Sequence, residues 1–130
     1  MSTFRFWQTP RAGNMARLAL HTSKLPALPD NHLRIKVHAV GLNFADIFAL
    51  TGLYSATPQG AFTPGLEFAG EVQEVGQQTQ GFAVGDRVMG VTRFGGYTTV
   101  IDSEADYLIP LPADWDYAQG AAWPAQTLTA

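Results

Sequence analysis

The stretch Val40-Gly41-Leu42-Asn43-Phe44-Ala45-Asp46 lies between two segments of different period. Before it, Leu33–Val40 alternates: Leu33, Ile35, Val37 and Ala39 point one way, and Arg34, Lys36 and His38 the other. That period of two predicts a strand with one face on a core. After it, Asn43 is placed to cap a short helix over Phe44–Leu50, and Gly52 to end that helix. A second stretch, Pro64-Gly65-Leu66-Glu67-Phe68-Ala69-Gly70-Glu71-Val72, opens another strand, Phe68–Val75, which closes at Gly76.

Working outward, Thr3–Gln8 and Arg17–Thr22 read as an opening pair of strands around a Pro10–Gly13 turn. Leu25-Pro26-Ala27-Leu28-Pro29-Asp30 is a stiff connector whose prolines cannot donate to a ladder. After a loop through Gln77–Gly85, strands are expected at Asp86–Val91 and, from a Gly95-Gly96 turn, at Tyr97–Ile101. Tyr107–Pro112 is extended, and Asp114 is expected to cap a helix from Trp115 to about Trp123, before Pro124. Seven or so short strands with two or three short helices define a mainly β fold, a partly open β-barrel.

With no cysteine in the chain, disulfide and thiolate-metal chemistry are excluded, and a cytoplasmic setting is favoured. A net charge of −3 with no basic cluster argues against nucleic acid. No apolar run is long enough for a membrane span, and no signal peptide is read at the start. Charged residues make up only 15%, against about 25% in an average soluble domain. Some surface is therefore expected to be covered by a partner, such as a second copy of the chain, or by another domain. Tyr117–Ala130 carries no charge at all, and the expectation is a chain that stops where a second domain begins.

Taken with Gly85-Asp86-Arg87-Val88 and Gly95-Gly96-Tyr97-Thr98-Thr99-Val100, the two stretches resemble the substrate-side, GroES-like domain of the medium-chain dehydrogenase/reductase superfamily. The resemblance covers about residues 25–130 and implies that residues 1–130 form one such domain. A dinucleotide-binding Rossmann domain is expected downstream, since no G-x-G-x-x-G follows a strand here. Zinc alcohol dehydrogenases carry metal-binding cysteine and histidine where Asn43 and Leu66 stand, and Ala125 matches a further ligand position. No metal is therefore expected, and the chain looks like the zinc-independent branch, NADPH:quinone oxidoreductases and enone reductases.

In those reductases the asparagine matching Asn43 lies beside the nicotinamide ribose and the substrate pocket. Its amide offers donors and an acceptor, a role compatible with capping. Tyr54 matches a pocket tyrosine able to donate to a carbonyl, although packing under a loop is an equal reading. Phe48 stands where some relatives have a second tyrosine, which counts against a two-tyrosine relay. Asn43 and Tyr54 are thus the catalytic candidates, and Asn43, Thr127 and Thr129 the cofactor-binding ones. Asp46 and Glu67 match acids near the zinc. They read either as general acid–base groups or as structural remnants bonded to backbone or to an arginine. His21, His32 and His38 do not form a metal set. The implied activity is NADPH-dependent reduction of a quinone or activated enone, a small-molecule carbonyl substrate. The alternative is a non-enzymatic β-barrel module that binds a peptide or partner protein.

Overall fold

A computed structural model describes residues 3–53 and 59–122. Strands β1 (Thr3–Gln8) and β2 (Ala19–Lys24) form a two-stranded antiparallel sheet. Strands β3 (His32–Val40), β4 (Glu67–Val75), β5 (Arg87–Val91), β6 (Val100–Glu104) and β7 (Leu108–Pro110) form a second sheet in the order β6-β3-β4-β5-β7, with every pair antiparallel. The described residues also form two α-helices, α1 (Phe44–Thr51) and α2 (Tyr117–Ala122), and 3-10 turns at Met15–Arg17 and Ala105–Tyr107. The fold is mainly β, and among the described residues the strands form two sheets rather than a closed barrel.

The alternation on β3 places Leu33 and Ile35 on the core face, where Phe68, Val72 and Val88 join them, all 0% exposed. Each such side chain contributes about 1.5–3 kcal/mol through burial, enough to fix which face of the sheet points inward. Ala69, Met89, Leu111 and Ala121 form a second cluster beneath α2, and Ala49, Leu50 and Phe62 a third beneath α1. The segment 97–99 joins the two sheets. Trp7 N donates to Tyr97 O, Thr99 N to Arg5 O and Val37 N to Thr99 O, each at 2.9 Å. This stitch draws one side of the sheets together while the other stays open.

Four sequence readings need correction. The second strand starts at Ala19 rather than Arg17, because Asn14 Oδ1 accepts from Ala16 N and holds residues 15–17 in a 3-10 turn. Regular pairing near the double glycine begins only at Val100, since Tyr97–Thr99 is used for the stitch. The last helix begins at Tyr117. Asp116, not Asp114, caps it: its carboxylate accepts from Gln119 N at 2.7 Å, and Gln119 Oε1 accepts from Asp116 N at 2.8 Å. Its expected end at Trp123 lies outside the described residues.

Arg34, read as facing solvent, is 6% exposed. It donates through Nε and Nη2 to Asp102 at 2.9 and 3.0 Å, opposite it on β6. It also donates to Pro26 O, tying the proline-rich connector to the sheet. The Asp102 hydrogen bonds raise the pKa of the guanidinium above its ordinary value, outweighing the burial that opposes them.

Candidate functional site

Three chain segments converge at the N-terminus of α1. Asn43, in extended conformation (φ −127°, ψ 152°), is the N-cap, and its carbonyl accepts from Asp46 N at 3.0 Å. Asp46 Oδ2 returns the contact by accepting from Asn43 N at 3.0 Å, as an acid three residues into a helix does. Its negative charge also suits the positive end of the helix dipole. Gly52 ends the helix with φ 83°, where a Cβ would be strained.

Asn43 Nδ2 donates to Glu67 Oε1 at 3.1 Å. Glu67 opens β4 and is 1% exposed. Its carboxyl end lies directly beneath Gly41, where an added Cβ would collide with it. The glycine of the first motif thus makes room for the acid of the second.

Tyr97 closes the cluster, its phenol donating to Asp46 Oδ2 at 2.7 Å. The glycines around it bring it there. Gly65 (φ 113°) lies against Gly96, and a Cβ on it would come within 2.7 Å of the Gly96 Cα and Tyr97 N. Tyr97 N in turn donates to Pro64 O at 2.9 Å. Burial pushes the Tyr97 phenol pKa above its ordinary value of 10.0, and the Asp46 hydrogen bond and charge push it further in the same direction. At neutral pH the hydroxyl therefore keeps its proton and its bond.

The Tyr97 ring also lines an open groove of about 500 Å³ between the two sheets, with Trp7, Leu18, Leu20, Val40 and Leu42 along it. The groove wall is mostly apolar, with Arg5 also on it, and its two threonine hydroxyls are used internally: Thr98 Oγ1 donates to Val100 O at 2.9 Å, and Thr99 Oγ1 accepts from Arg5 N at 2.9 Å.

Of the residues singled out from sequence, Asn43, Asp46 and Glu67 are brought together here. Asp46 bonds to backbone, one of the two partners expected for it, and accepts from the Tyr97 hydroxyl, while Glu67 accepts from Asn43. Phe48 is half-exposed on α1. Tyr54, Ala125, Thr127 and Thr129 lie outside the described residues. Tyr97 was missed as a site residue. Its sequence signal, an aromatic after a double glycine, gives no hint that its hydroxyl reaches an acid 51 positions away. His38 is exposed as expected, yet its ring stacks on that of Tyr117 at 4.3 Å, and the Arg87 guanidinium lies 4.8 Å from the centre of the Tyr117 ring. Among the described residues, no group of three His, Cys, Asp or Glu side chains is placed to hold a metal ion. Among them also, no helix is long and apolar enough to cross a membrane.

The chain belongs to the alcohol dehydrogenase GroES-like domain family, which it matches over residues 29–113. The human synaptic vesicle membrane protein VAT-1 homolog-like is 30% identical over 118 residues, 91% of this chain and 28% of that protein. The structure of the Escherichia coli quinone oxidoreductase complexed with NADPH superposes with a TM-score of 0.87 at 31% identity, covering 96% of this chain and 38% of that one. The CurK enoyl reductase superposes with a TM-score of 0.89 at 27% identity, covering 97% and 40%. The chain therefore spans well under half the length of these relatives.

Proposed function

We propose that this chain is the substrate-side domain of a zinc-independent, NADPH-dependent oxidoreductase that reduces a quinone or an activated enone in the cytoplasm. The observation that carries the reading is the Asn43–Glu67 pair. At the position where zinc enzymes of the family place a thiolate, this chain has a neutral amide already bonded to a buried acid. Its companion position is the aliphatic Leu66. An amide and an aliphatic group are not zinc donors. The relatives that resemble the chain over nearly its whole length include a quinone oxidoreductase with NADPH and an enoyl reductase.

The residues present suit one end of the cofactor and not the other. The α1 N-terminus is already taken by the Asp46 carboxylate, so a phosphate would meet negative charge there. The uncharged nicotinamide ribose fits beside Asn43, with Thr127 and Thr129 expected along the same path. NADPH, when bound, would supply the hydride. The chain's own task is to orient the acceptor and bond to its carbonyl as charge develops. One Asn43 Nδ2 proton is committed to Glu67, so a single proton is left to donate, alongside the expected Tyr54 hydroxyl. Tyr97 keeps its hydroxyl on Asp46 and is not a proton source in this scheme.

The test is NADPH consumption with a quinone and with an α,β-unsaturated ketone, using the chain joined to its encoded downstream domain, together with elemental analysis for zinc. Turnover without zinc supports the reading. Stoichiometric zinc, or no turnover with either substrate, refutes it. The 130-residue chain alone is expected to bind NADPH weakly by calorimetry, because the phosphate-binding turn supplies much of the affinity.

A further inference from the structure

We propose that Glu67 and Tyr97 are positioning residues that act through Asn43, fixing its carboxamide in the single orientation used in the reaction. This rests on the reductase reading above, in which Asn43 is the group that touches the ligand.

Residue 43 is held at two independent points. Its side chain is held by Glu67, through the 3.1 Å bond from Nδ2 to Oε1. Its backbone N–H is held by Asp46 at 3.0 Å, and the accepting oxygen is itself held by the Tyr97 hydroxyl at 2.7 Å. A carboxamide left alone turns readily about its last torsion and presents either its oxygen or its nitrogen edge. Glu67 Oε1 accepts from the amide nitrogen, so this contact selects the nitrogen edge and opposes the flip. Glu67 is almost fully removed from water, which strengthens that selection over any competing hydration. The second anchor keeps the backbone of residue 43 from drifting, so the fixed amide also has a fixed origin.

Gly41 provides a way to break the first anchor without touching either partner. The atoms that a Cβ at position 41 would meet are Oε1, Cγ and Cδ of Glu67, the mobile end of a side chain rather than backbone. Gly41 does not have the positive φ of a left-handed residue. Gly41→Ala is therefore expected to displace the Glu67 carboxylate and release Asn43 while the fold remains.

The experiment has two arms. In the 130-residue chain, NMR measures hydrogen exchange of the Asn43 side-chain amide in wild type, Glu67→Gln, Glu67→Ala and Gly41→Ala. Exchange is expected to be slow in wild type and Glu67→Gln, which keeps an acceptor oxygen, and roughly tenfold or more faster in the other two. In the full-length enzyme, kcat is expected to fall roughly tenfold or more in Glu67→Ala and Gly41→Ala with KM little changed, since misplacement costs the reacting geometry rather than binding. Glu67→Gln should recover part of that loss, and Tyr97→Phe should lower kcat by a smaller factor. A merely structural role would lower thermal stability in all four variants and leave kcat per folded molecule unchanged. Amide exchange within about twofold of wild type in folded Glu67→Ala and Gly41→Ala overturns the proposal, as does faster exchange with an unchanged kcat. If wild type turns over neither substrate class, the reductase reading falls, and the exchange arm alone still decides whether Glu67 holds Asn43.

Discussion

Tyr97→Phe deletes one oxygen atom and with it the 2.7 Å bond to Asp46. The buried carboxylate keeps its contact to Asn43 N but loses a donor. A hydrogen bond to a charged group contributes about 1.5–3 kcal/mol. Tyr97 is only half-buried, so solvent screening argues for the low end, about 1.5 kcal/mol. For a domain of this size that corresponds to a Tm lower by roughly 4–8 °C. The pH dependence gives an independent check. The folded-state pKa of this phenol is raised above 10.0. Its stabilising contribution is therefore complete below the unfolded value and is lost as pH rises through the folded one. Urea unfolding of wild type and variant, measured in parallel from pH 7 to pH 11, should show a constant gap up to about pH 9 that narrows above about pH 10. Comparing the two proteins cancels the other titrating groups. A gap below about 0.3 kcal/mol at pH 7, or one that stays flat through pH 11, would refute the account of this bond.

Three further outcomes are expected. Asp102→Ala should cost about 3 kcal/mol in urea unfolding, because it strands the buried Arg34; Glu74→Ala, which removes a 3.8 Å contact from an exposed carboxylate to Arg34, should cost less than about 0.5 kcal/mol. Gly52→Ala should destabilise by about 1 kcal/mol, since residue 52 ends α1 at φ 83°; an unchanged urea midpoint would count against that turn. In the full-length enzyme, Tyr54→Phe should lower kcat by about 30-fold if its hydroxyl serves the carbonyl; activity within about twofold of wild type would make Tyr54 a packing residue.

The sequence by itself determined what depends on near neighbours. The alternation along Leu33–Val40 fixed β3, because side-chain direction in a strand repeats every two residues whatever lies opposite. Asn43 and Gly52 bounded α1 because capping is settled within a turn of backbone. The same local logic erred where two short-range options competed: a 3-10 turn capped by Asn14 displaced the start of β2, and Asp116 displaced Asp114 as a cap. Tertiary structure alone decided the polar pairings. Arg34 reads as solvated because the period of two puts it on the polar face of β3, yet antiparallel register sets Asp102, 68 positions away, directly against it. Tyr97 likewise meets Asp46 only because Gly65 and Gly96 let two backbones touch. A buried charge or hydroxyl must find a partner, but periodicity and propensity describe a chain's own faces. Which polar group crosses to meet which is set by register and close approach, and those exist only once the sheets have assembled.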